Sequence, residues 1–98
     1  MSELPEQVFN DLYSLETLNL RLNELTSLKM IHGRYLKNLK SLDISQNKIK
    51  DLGKVFQSFE QLEKIVLFGN GIKSLKTGVF NHLKRLKRLD LGKYISLI

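Results

Sequence analysis

The sequence predicts an α/β solenoid, a curved stack of short coils whose strands line one parallel sheet. Three observations carry that prediction. A unit of 23–24 residues recurs along the chain, each copy holds a Leu-x-Leu type alternation closed by Asn, and a second apolar series follows at the same period. A period of this size marks a repeat array, in which one coil cannot bury its apolar face alone but several stacked coils can.

The alternating segments come first in each unit. Leu15, Leu18, Leu20, Asn23 and Leu25 align with Leu39, Leu42, Ile44, Asn47 and Ile49, then with Leu62, Ile65, Leu67, Asn70 and Ile72, and lastly with Leu86, Leu89 and Leu91. Alternation with period two is a strand with its apolar residues on one face. Strands are therefore expected near residues 17–21, 41–45, 64–68 and 88–92, after a partial first coil over 4–14. Asn23, Asn47 and Asn70 close the strands, and their amides carry both donors and an acceptor for loop backbone groups. Stacked coils would set them in a ladder that satisfies polar groups otherwise left without partners. Tyr94 takes the corresponding place in the last unit.

The return half of each coil repeats as well. Leu4, Leu28, Leu52 and Leu75 form one column, Phe9, Phe56 and Phe80 a second, and Leu12, Leu36, Phe59 and Leu83 a third. Gly33 stands where the second coil should carry a Phe, so looser packing or a bend is expected there.

The pattern L-x-x-L-x-L-x-x-N-x-L followed by L-x-x-x-x-F-x-x-L resembles the leucine-rich repeat over residues 4–94. A 24-residue unit containing that Phe is similar to the typical class found in the ectodomains of Toll-like receptors, small leucine-rich proteoglycans and lamprey variable lymphocyte receptors. The resemblance implies a right-handed arc with the parallel sheet on its concave face and loops, 3-10 turns or short helices on its convex side. It also implies a receptor-like or adhesion module, as used in innate immunity, acting outside the cell. Relatives of this kind carry polar or cysteine-rich caps. This chain shows neither, so it reads as a piece of a longer array whose bare ends could self-associate.

Bulk properties narrow the function classes. Ninety-eight residues form one domain, 1–98, and 42% hydrophobic with 27% charged residues is an ordinary globular composition. There is no cysteine, hence no disulfide framework and no thiolate chemistry. No apolar run is long enough to insert into a membrane, and the start, Met1-Ser2-Glu3-Leu4-Pro5-Glu6, is not a signal peptide. The absence of cysteine, signal and N-x-S/T sequon keeps a cytoplasmic location open as the alternative. The net charge of +6 divides unevenly, −4 over residues 1–28, +4 over 29–70 and +6 over 71–98. Such an arc favours one docking orientation on a charged partner.

Between the inward leucines, the sheet should display Thr17, Ser41, Lys64 and Arg88 in one column and Asn19, Asp43, Val66 and Asp90 in the next. Arg21, Ser45, Phe68 and Gly92 follow, then Leu22, Gln46, Gly69 and Lys93. Phe68 beside Val66 is the expected anchor for a protein partner, with Arg21, Asp43, Lys64, Arg88 and Asp90 as a polar surround. Glu16, Lys40, Glu63 and Lys87 alternate in sign and suit a cross-strand ion-pair ladder.

Other chemistry finds little footing. Lys84-Arg85-Leu86-Lys87-Arg88 suggests an acidic glycan or other polyanion as a partner for the basic C-terminal third, although the strand spreads these side chains over different faces. His32 and His82 have no partner at metal-ligand spacing, and no phosphate loop or nucleophile with its base is present. The expectation is therefore a protein-binding module without cofactor, metal or catalytic residues. An intracellular scaffold and a polyanion binder are the alternatives.

Overall fold

A computed structural model describes residues 12–52, 54–75, 78–92 and 96–97. Most of the partial first coil expected over 4–14 lies outside the described residues, as do Leu4, Phe9, Lys93 and Tyr94.

Four strands, β1 (Thr17–Asn19), β2 (Ser41–Asp43), β3 (Lys64–Val66) and β5 (Arg88–Asp90), pair in parallel in the order β1-β2-β3-β5. Register follows the repeat: Leu18 opposes Leu42, Leu42 opposes Ile65, and Ile65 opposes Leu89. Because successive strands are parallel neighbours, each return segment must cross the opposite side of the same core. One of these holds a 3-10 turn, Val55–Ser58. Two short strands, β4 (Ser74–Leu75) and β6 (Ser96–Leu97), make a second parallel pair on the segment that leaves the main sheet. The molecule is thus an open α/β solenoid arc.

The four strands of the main sheet are three residues long, where five were expected. Two local causes end them. Asn19, Asp43 and Asp90 each turn Oδ1 back to accept the N–H two residues on, from Arg21 at 3.0 Å, Ser45 at 3.0 Å and Gly92 at 3.2 Å. These side-chain turns offer the backbone an alternative to the ladder. Leu22 (φ 62°) and Gln46 (φ 55°) then adopt left-handed backbone at the position that Gly69 (φ 75°) fills without a Cβ penalty. Cross-coil backbone hydrogen bonds nevertheless continue past the strands, as from Leu20 N to Asp43 O (2.8 Å) and from Gln46 N to Phe68 O (2.8 Å).

Inside the arc, Leu42, Ile44, Ile49, Leu62, Ile65 and Leu67 are fully buried together with Leu36, Leu39 and Leu25. The Phe56 and Phe80 rings meet at 5.3 Å between centroids. Leu12, placed in the core column by its spacing, is instead 40% exposed at the N-terminal margin of the described residues.

Gly33 overturns the expectation of looseness. A Cβ on Gly33 would stand 1.7 Å from the carbonyl oxygen of Ser58, and its N–H donates to Ser58 Oγ at 2.9 Å. The missing side chain lets the backbones of two coils touch, while Met30 and Ile31, each 2% exposed, supply apolar bulk nearby.

Candidate functional site

The strand faces turned away from the core present the polar columns. In the loop just beyond them, Asn47 is buried, with Nδ2 within 3.1 Å of the carbonyls of Leu20, Ile44 and Ser45 and Oδ1 accepting from Leu25 N. Asn70 repeats this one coil on: Nδ2 donates to Ile44 O and Leu67 O, and Oδ1 accepts from Ile49 N. Asn23 donates to Leu20 O. The chain therefore leaves the sheet on a rigid, hydrogen-bonded edge.

On the face itself Arg21 is exposed. Its Nε donates to Gln46 Oε1 at 2.9 Å, and its guanidinium carbon lies 6.0 Å from the centre of the Phe68 ring. The reach crosses Ser45, which is fully buried and donates from Oγ to Asp43 Oδ1 at 2.6 Å. Phe68 is half-buried, and on its far side a Cβ at Gly92 would stand 2.9 Å from Phe68 Cβ. A Cβ at Gly69 would meet Gln46 Cγ at 2.9 Å, so the two glycines leave room for Gln46 and Phe68 to lie across the coils. Gln46 is the residue that sequence reasoning missed. Its signal was Gly69, the glycine next to it in a column of otherwise larger side chains.

Val66 requires a correction. Its register places it between Asp43 and Asp90 on the sheet face, but it is only 6% exposed and is not displayed beside Phe68. Its short side chain stands lower than the longer Lys64 and Phe68 two residues either way on the same face. Ser45 departs from its expected display for the related reason that Arg21 passes over it. Arg21 and Arg88 are exposed, whereas Lys64, Asp43 and Asp90 are half-buried, and both carboxylates also hold the turns described above.

Beside the sheet, Lys40 pairs with Glu16 at 3.5 Å and Lys87 with Glu63 at 3.7 Å. The basic cluster is divided between faces. Arg85 Nη1 donates to Gln61 Oε1 at 2.6 Å, Lys87 is in its ion pair, and Arg88 lies on β5. His32 is exposed and its Nδ1 accepts from Arg34 N at 2.9 Å, while His82 is also exposed. Among the described residues no three His, Cys, Asp or Glu side chains gather as a metal site would need. No helix among the described residues is long and apolar enough to cross a membrane.

An open parallel sheet with an Arg–Phe cation–ring pair, set on hydrogen-bonded repeat coils, defines a solenoid scaffold that displays side chains in columns. The chain belongs to the leucine-rich repeat family, whose model matches residues 1–49 and 15–72. It is similar to the leucine-rich repeat-containing G-protein coupled receptor 5 of Rattus norvegicus, 35% identical over 80 residues that make up 82% of this chain and 9% of that protein. It is also similar to chaoptin of Drosophila melanogaster, 35% identical over 81 residues, or 82% of this chain and 6% of that protein. The chain thus spans less than a tenth of the length of these relatives.

Proposed function

We propose that this chain is a protein-recognition module of a receptor-like or adhesion protein, binding its partner on the concave sheet face. The observation that carries this reading is the Arg21–Phe68 pair buttressed by Gln46. A half-exposed aromatic held by a cation on a rigid sheet is a preorganised anchor, because few rotamers remain to be ordered on docking. Arg88, Lys64, Asp43 and Asp90 surround it with both charge signs. Val66 contributes by holding the floor of the site rather than by contact. A location outside the cell is the reading favoured by the repeat class and by a relative named as a receptor. No catalytic role is proposed.

The test uses a photo-crosslinking amino acid placed in the native protein at Gln46 on the sheet face or at Gln57 on the opposite face. Partner adducts should form at position 46, not at 57, and should be lost in Phe68→Ala. Equal adducts at both positions, or adducts indifferent to Phe68→Ala, would overturn the assignment of the face.

A further inference from the structure

The structure sorts the lysines differently from their order in the chain. On the flank entering each strand, Lys40 and Lys87 are neutralised by Glu16 and Glu63. On the flank leaving the strands, Lys48, Lys50 and Lys73 are exposed and have no ion pair among the described residues. Lys50 and Lys73 occupy equivalent positions, three residues after Asn47 and Asn70, so they recur from one coil to the next at about 5 Å. This edge is held rigidly. Lys48 N donates to Leu25 O at 2.8 Å and Gly71 N to Ile49 O at 2.9 Å. Gly71 also opens the space over which Lys50 lies, since a Cβ there would stand 3.0 Å from Lys50 Cγ.

Around the corner from these lysines, between the second and third coils, a groove of about 490 Å³ is lined by Leu28, Ile31, Leu52 and Val55 as well as Thr26, Ser27, Lys29, His32, Asp51 and Lys54. Over residues 24–29, 48–54 and 71–75 the flank carries five lysines against two carboxylates, Glu24 and Asp51, and Asp51 already has a partner.

We propose that this flank binds a linear anionic glycan, sulfated or carboxylated, whose acidic groups lie along Lys48, Lys50 and Lys73 while one sugar unit enters the groove between Lys29 and Lys54. Exposed lysines on adjacent coils complement a polymer that carries repeated anions, and Thr26 and Ser27 offer hydroxyls to a sugar in the groove. A nucleic acid fits less well, because among its described residues this flank exposes no Phe, Tyr or Trp for base stacking. A membrane surface fits less well, because the flank exposes no large apolar side chain to enter the interface. The surface is separate from the sheet face, so it stands or falls independently of the Arg21–Phe68 site.

The experiment is calorimetric titration of the chain with a heparin hexasaccharide at several salt concentrations. Two variants of equal charge change are compared: Lys48→Gln/Lys50→Gln/Lys73→Gln, and Lys84→Gln/Arg85→Gln/Lys87→Gln. The first should lose at least about tenfold in affinity and flatten the salt dependence, and the second should stay within about twofold, both with unchanged circular dichroism. Absence of binding by the unaltered chain would overturn the proposal, as would equal losses in the two variants. Duplex DNA or phosphatidylserine vesicles that displace the hexasaccharide at matched charge would overturn the glycan assignment. Phe68→Ala should leave the titration unchanged.

Discussion

The guanidinium carbon of Arg21 lies 6.0 Å from the centre of the Phe68 ring, although the coil carrying Ser45 runs between them. Arg21 bridges that coil by hydrogen bonding to Gln46 on the way. Three coils are thereby tied together on the outer surface of the sheet, independently of the leucine core beneath.

That tie has a measurable energy. At 6.0 Å the cation–ring interaction is at the outer limit of its range, so an Arg21→Ala, Phe68→Ala double-mutant cycle should give a coupling of about 0.5 kcal/mol. Arg21→Lys should lose most of it, because an ammonium keeps the charge but not the Nε–H bond to Gln46 that holds the group over the ring. Urea unfolding of the four proteins measures the coupling, and a cycle that closes to zero would mean the pair is only an arrangement of convenience.

The asparagines should differ in importance according to their hydrogen bonds. Asn47→Ala leaves the buried Leu25 N–H without its acceptor and takes one of two donors from each of the Leu20, Ile44 and Ser45 carbonyls, so a loss of about 2 kcal/mol is expected. Asn23→Ala, which removes a bond to Leu20 O, should cost about 1 kcal/mol. Denaturant midpoints at constant slope provide the comparison, and equal losses would show that the ladder is not graded by burial.

Gly33→Ala tests the contact between coils. The added Cβ would meet a backbone oxygen, not a movable side chain, so the second and third coils must separate and stability should fall by about 3 kcal/mol. Ser58→Ala should cost only about 1 kcal/mol through the lost bond to Gly33 N, and it should not rescue Gly33→Ala, because the clash is with the main chain. Thermal unfolding of the two single variants and the double variant distinguishes these outcomes.

Periodicity was legible residue by residue. Leu42, Ile44, Ile65 and Leu67 could be assigned to the core because alternation forces them to one face, and the pairing register follows once the units are aligned. Strand length was not legible, because the side-chain turns of Asn19, Asp43 and Asp90 compete with the ladder on a scale that apolar spacing does not record. Leu12 departs from its column, being 40% exposed at the N-terminal margin of the described residues. Within the candidate site, Arg21 and Phe68 share one column of the repeat. Their contact across an intervening coil and the part played by Gln46 depend on side-chain length and direction, on which a column is silent.

The sequence by itself determined the repeat, the inward leucines and the parallel order of the strands, because these follow from periods of two and of 23–24 residues that act within a coil and between nearest neighbours. Only the tertiary structure decided that Val66 and Ser45 are covered, that Gly33 is a close contact rather than a gap, and that Lys48, Lys50 and Lys73 lie exposed on one flank with no ion pair among the described residues. Those outcomes depend on which side chains reach across to another coil, and close packing settles that only when the coils are stacked.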